Sequence, residues 1–149
     1  MEEDTIKTAM IDLLMEKVGS GFSENVLEYG NHPRNCGTMD NPDGYAKVTG
    51  PCGDTVEIFL RIINDKIENI SYMTDGCMTS HAAASAAVVL ATGRPVREGI
   101  RINQSAILEH LGGMPEDSRH CALLAVTTFQ KALRNYARGK RPYDEILSD

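Results

Sequence analysis

The sequence predicts an α+β domain in which an antiparallel sheet is covered by helices on one face. Period-two alternation of apolar residues is concentrated between Thr55 and Thr74, and the chain beyond Thr74 carries helical patterns. Strands followed by helices favour this class over alternating βαβ units. No internal repeat, low-complexity stretch or long linker divides the 149 residues, and a 42% hydrophobic content supports one core without disulfide help.

Near the N-terminus, Ile6, Ala9, Met10, Leu13 and Leu14 follow helical spacing, and Gly19-Ser20-Gly21 ends the pattern. Residues 1–21 therefore read as an N-terminal helical extension and 22–149 as a single domain. A short helix follows Ser23. Asn31 to Gly53 is rich in Asn, Pro, Gly and Asp and reads as loop, with an edge strand at Tyr45 to Thr49. In Thr55 to Ile63, the residues Val56, Ile58, Leu60 and Ile62 share one face, and in Ile67 to Thr74 Ile70 and Tyr72 point inward. Asn64-Asp65 joins the two runs, and both residue types tolerate the positive φ of a two-residue hairpin turn.

Cys77 to Ala91 is Ala-rich and proline-free, with Gly93 and Arg94-Pro95 beyond it, and predicts a closely packed helix. Asn103 predicts the N-cap of a short helix through Leu111, terminated by Gly112-Gly113. A longer helix begins near Ser118, with Ala122, Ala125, Val126, Phe129, Leu133 and Tyr136 as its apolar stripe.

A net charge of -6 argues against whole-surface binding to nucleic acid or anionic lipid. No apolar run approaches the roughly 18 residues that span a bilayer, and the Met1-Glu2-Glu3-Asp4 start lacks the basic segment and apolar core expected of a signal peptide. The expectation is a cytoplasmic protein with neither nucleic acid nor membrane as partner. In a reducing compartment Cys36, Cys52, Cys77 and Cys121 read as ligands, nucleophiles or core residues, not disulfide partners.

Cys52 lies in Gly50-Pro51-Cys52-Gly53-Asp54, a loop whose glycines let the backbone bend around whatever the thiol holds. Cys77 opens the Ala-rich helix, and Cys121 follows His120 in the first turn of the last helix. A helix N-terminus lowers a thiol pKa, and the thiolate is the form that binds metal or attacks sulfur. Three thiolates with a carboxylate or imidazole supply the ligands of a tetrahedral zinc or iron site. The competing reading is three buried cysteines with no shared role, since gaps of 25 and 44 residues match no short zinc motif. Local context favours the site: each of the three has a polar or ionisable neighbour, and none falls in a regular apolar stripe. Cys36 reads as a loop or packing cysteine, and His32 and His110 as surface or capping residues. His120 is the best-placed histidine. His81, four residues after Cys77 on the same helix face, could reach the site, although a solvent-facing role is the simpler reading.

Pro33-Arg34-Asn35 followed by Gly37, then Cys52-Gly53-Asp54, Gly76-Cys77 after a β hairpin, and His120-Cys121 opening the last long helix form an ordered set of motifs. In these motifs, over about Phe22 to Lys140, the chain resembles the iron–sulfur cluster assembly scaffolds of the IscU type, the NifU N-terminal-like proteins. The resemblance implies a three-stranded antiparallel sheet with helices on one face. It implies Cys52, Cys77 and Cys121 as ligands, with Asp54 and His120 as alternative fourth ligands. It further implies a non-catalytic scaffold for a [2Fe-2S] cluster, built from ferrous iron and persulfide sulfur from a cysteine desulfurase and then transferred to apo-proteins, with a homo-oligomer possible when loaded. The alternative is a zinc-dependent sulfur acceptor of the SufU type, with zinc in the same site. Two departures stand out. The segment before the last helix reads Gly113-Met114-Pro115-Glu116-Asp117-Ser118-Arg119 in place of the chaperone-recognition motif Leu-Pro-Pro-Val-Lys, and Met78-Thr79-Ser80-His81 replaces the usual Gly-Ser-Ala-Ile.

From Arg119 to Pro142 there are six basic residues (Arg119, Lys131, Arg134, Arg138, Lys140, Arg141) and no acidic one. They form either a solvated helix face or a docking surface for an acidic partner such as the desulfurase.

Overall fold

The computed structural model describes residues 22–139. The N-terminal extension expected over 1–21 and the basic residues Lys140 and Arg141 lie outside the described residues. Helix α1 (Glu24–Asn31) starts as the sequence predicts: Ser23 Oγ accepts from the Val26 amide at 3.1 Å, a side-chain N-cap. Its buried Val26 and Leu27 face the interior, and the Ser23 hydroxyl donates to the Leu111 carbonyl, tying the helix start to a distant loop.

The sheet is three-stranded and antiparallel in the order β1 (Gly44–Thr49), β2 (Thr55–Ile63), β3 (Lys66–Thr74). Ile58 pairs with Ala46 on one side and Tyr72 on the other, and Leu60 pairs with Gly44 and Ile70. The alternation read from the sequence therefore aligns across all three strands and presents one continuous apolar face. Asn64 and Asp65 both adopt positive φ, 54° and 59°, the backbone that a two-residue turn matched to strand twist demands. The irregularity between Arg61 and Ile62 just before this turn was not legible in the sequence.

Helix α2 (Met78–Ala91) is buried along nearly its whole length, because its alanines and serines let neighbours approach from several sides. Cys77 is its N-cap rather than its first helical residue, and Gly93, at φ 88°, turns the chain back so that its amide donates to the Ile67 carbonyl. A one-turn helix, α3 (Val96–Gly99), and a 3-10 turn at Glu116–Ser118 are additions to the sequence reading. Helix α4 (Gln104–His110) begins at Asn103, whose side chain accepts from the Ala106 amide at 2.9 Å. Helix α5 (Arg119–Ala137) buries Ala122, Ala125, Val126, Phe129 and Leu133 and crosses β1 so closely that a Cβ on Gly44 would lie 2.8 Å from the Ala132 carbonyl. α5 covers β1 and β2 while α2 covers β3, so the helices form one layer over the apolar face. Among the described residues no helix is long and apolar enough to cross a membrane.

Candidate metal centre

Three segments meet where the β1–β2 loop, the N-terminus of α2 and the N-terminus of α5 converge. The β1–β2 loop is the Gly50–Asp54 segment. Its base is closed by the Gly50 amide donating to the Asp54 carbonyl at 2.8 Å, and its tip is turned by Gly53 at φ 90°. Cys52 is exposed at this tip, and the half-buried Asp54 points toward α2.

The linking groups are two hydroxyls. Thr79 Oγ1 lies 3.1 Å from Cys77 Sγ and 3.4 Å from Cys121 Sγ, so a single side chain joins the two thiols. Ser80 donates to Asp54 Oδ2 at 3.2 Å, and its oxygen lies 3.7 Å from Cys121 Sγ. His120 Nε2 is also 3.7 Å from Cys121 Sγ. Cys77, Cys121, Asp54 and His120 thus belong to one hydrogen-bonded network, although they come from three separate segments. Cys52 shares the loop of Asp54, and no hydrogen bond among the described residues joins it to the other thiols. Nor do three or more His, Cys, Asp or Glu groups among the described residues stand at metal-ligand spacing. The hydroxyls of Thr79 and Ser80 occupy the spaces between candidate ligands.

Cys77 is exposed and its thiol is held below the ordinary value of about 9. The Thr79 hydroxyl is the largest cause; burial opposes it, the Thr79 and Ser80 amides at the start of α2 assist it, and the Asp54 charge opposes it. Cys121 is 4% exposed and belongs to the core. This corrects the reading that none of the three cysteines falls on an apolar stripe: Cys121 precedes Ala125 by four residues and shares its face of α5.

His81 is likewise half-buried and not simply solvent-facing. Its Nδ1 is 2.7 Å from the hydroxyl of Tyr72, which lies wholly inside the domain, and burial pushes that phenol up to about 12. Cys36 is exposed and forms an isolated bridge with Tyr72 at the free edge of β3, consistent with a loop cysteine. His32 is the C-cap residue of α1, and His110 stacks on Tyr29 with its Nε2 3.0 Å from the phenol oxygen. Thr79 and Ser80 are the residues that sequence reasoning missed. Their one available signal was position: polar side chains two and three residues after a candidate ligand, inside an otherwise alanine-rich helix.

Comparison with known proteins identifies the family and the fold. The NifU-like N terminal domain family model matches residues 21–142. An iron–sulfur cluster assembly scaffold protein, IscU 1, of Archaeoglobus fulgidus is 33% identical over 126 residues, covering 84% of this chain and 82% of its own. An iron–sulfur cluster assembly protein, IscU, of Plasmodium falciparum is 33% identical over 119 residues, covering 77% and 73%. Among solved structures, the N-terminal part of a NifU-like protein from Brucella abortus superposes with a TM-score of 0.62 at 19% identity, over 77% of this chain and 93% of that one. A structure described as a SUF-system scaffold from Fervidobacterium islandicum gives 0.61 at 18% identity, over 75% and 96%. With most of its length matched by the family model and by relatives of comparable size, the chain belongs to the family of NifU-like N-terminal domains.

Proposed function

We propose that this chain is a scaffold on which a [2Fe-2S] cluster is assembled from ferrous iron and desulfurase-derived sulfur and then passed to apo-proteins. The observation that carries the reading is the convergence of Cys77, Cys121, Asp54 and His120 on one network beside the Cys52 loop. Scaffold relatives at 33% identity support it. Cys52, Cys77 and Cys121 are the thiolate ligands in this proposal, and Asp54 or His120 completes the set. Iron and sulfur are the cargo. A carboxylate is a harder donor than a thiolate, so it supplies the exchangeable position that a site built for release requires.

Exposure divides the thiols by task. Cys52 and Cys77 are open to a persulfide carried by another protein, whereas Cys121 is enclosed. An exposed thiolate attacks the outer sulfur of the desulfurase persulfide; the S–S bond breaks, the desulfurase thiolate leaves, and the sulfane sulfur remains on the scaffold as a new persulfide. Each sulfane sulfur then takes up two electrons to become a bridging sulfide; the two ferrous ions supply half of the four electrons as they become ferric, and an external dithiol or one-electron carrier supplies the other half. Iron must then displace the Thr79 and Ser80 contacts to the Cys121 sulfur and draw the Cys52 loop inward. The second reading, a zinc-dependent sulfur acceptor, is favoured by the exposed Cys77 thiol, held toward its nucleophilic form. In that case three thiolates and Asp54 would hold zinc, a donor set that suits this ion.

Anaerobic incubation with a desulfurase, cysteine, ferrous iron and a dithiol reductant separates the readings. Visible cluster absorption that is lost in Cys52→Ala, Cys77→Ala and Cys121→Ala but kept in Cys36→Ala supports the scaffold. Faster desulfurase turnover without cluster supports the sulfur acceptor. A folded Cys36→Ala that builds nothing overturns the choice of cysteines.

A further inference from the structure

Ser80 stands where two candidate ligands from different segments meet. It lies in the first turn of α2, is 2% exposed, and donates to Asp54 Oδ2 while its oxygen lies 3.7 Å from Cys121 Sγ. Thr79 holds the same sulfur from another direction, at 3.4 Å. The room for Ser80 is made by a missing side chain: a Cβ on Gly76 would lie 2.4 Å from Ser80 Oγ and 3.0 Å from Asp54 Oδ2.

Building on the scaffold reading above, we infer that Ser80 is a positioning residue that latches Asp54 beside Cys121 and leaves the second carboxylate oxygen, Oδ1, to take metal. Asp54 sits at the end of a glycine-turned loop, and its side chain has no other hydrogen-bond partner among the described residues. Without the Ser80 hydroxyl its rotamer is chosen by solvent, and the carboxylate must be ordered at the moment of binding. With it, the ordering is already done. The same bond engages one carboxylate oxygen and so favours single-oxygen coordination, a weaker grip than a bidentate one. Partners outside the ligand shell of this kind typically change metal affinity by about 10- to 100-fold.

The test uses the metal-free full chain under anaerobic, non-thiol reducing conditions, with Co2+ as the probe of ligand set and affinity. Ser80→Ala is well suited to a helix interior and should fold, which circular dichroism checks. Relative to the unmodified chain, Ser80→Ala should bind Co2+ about 10-fold more weakly. The visible d–d bands of Ser80→Ala should move toward those of Asp54→Ala. The Ser80→Ala/Asp54→Ala double variant should bind no more weakly than Asp54→Ala alone, because the latch has nothing left to hold. Losses that simply add in the double variant would show that Ser80 acts through packing, and would overturn the latch. So would equal binding by Ser80→Ala and the unmodified chain. An unmodified chain that gives no thiolate-to-cobalt charge-transfer band overturns the scaffold reading and the latch together.

Discussion

Gly76 is the most constrained position beside the site, and Gly76→Ala is the most direct test of the packing described above. A Cβ built there stands 2.4 Å from Ser80 Oγ, 2.6 Å from Ser80 Cβ and 3.0 Å from Asp54 Oδ2. Rotation of the Ser80 side chain relieves only the first contact. Ser80 Cβ is fixed to the first turn of α2, so restoring ordinary separation moves backbone by roughly 1 Å, an over-packing that costs about 1–3 kcal/mol. For a chain of this size that is a fall in Tm of roughly 2–12 °C. The same shift separates Ser80 from Asp54 and Cys121, so Co2+ affinity should fall about 10-fold or more. Thermal unfolding of the metal-free protein and a Co2+ titration read the two effects separately. A Tm within about 1 °C of the unmodified chain, with unchanged Co2+ affinity, would refute the close approach of Gly76, Ser80 and Asp54.

Three further outcomes are expected. Asp54→Ala should weaken binding of a single ion yet hold an assembled cluster longer and transfer it more slowly to an apo-ferredoxin, because the exchangeable oxygen is gone; its metal-free stability should fall by only about 1 kcal/mol, the worth of the bond from Ser80, since the carboxylate bonds no amide of its own loop. The Cys77 thiol, held below its ordinary pKa by Thr79, binds its proton less tightly in the folded chain than in the unfolded one. Its contribution to stability should therefore be complete above the unfolded value near 9, and be lost as pH falls through the lower folded value. The difference in unfolding free energy between the unmodified chain and Cys77→Ser, measured from pH 6 to 10, should rise with pH. A flat difference would refute the role of Thr79. Reversing the exposed Arg134 and Arg138 to Glu should weaken desulfurase binding and flatten its salt dependence. Unchanged affinity and salt slope, measured by calorimetry, would assign these arginines to a solvated face.

Much of the scaffold was legible because its signals are local. The period-two run over Thr55 to Ile63 coincides with β2, the positive φ at Asn64 and Asp65 follows from their side chains, and Ser23 and Asn103 cap their helices through bonds three residues long. The positions of Cys77 at the start of α2, to within one residue, and of Cys121 in the first turn of α5 were also visible, since helix starts have sequence signatures. Which side chains meet there was not. The Ser80–Asp54 bond spans 26 residues and the Thr79–Cys121 contact 42, and both depend on how α2 and α5 settle on the sheet. The same holds for His81, whose partner Tyr72 lies on a strand beneath it, and for Cys121, whose burial is set by the core it joins. Sequence alone determined the main strands and helices and the candidate ligands, because hydrogen bonding and amphipathic period act over a few residues. Only the tertiary structure decided that hydroxyls of α2 hold the thiols and the carboxylate together, because helix placement depends on apolar packing across the whole domain.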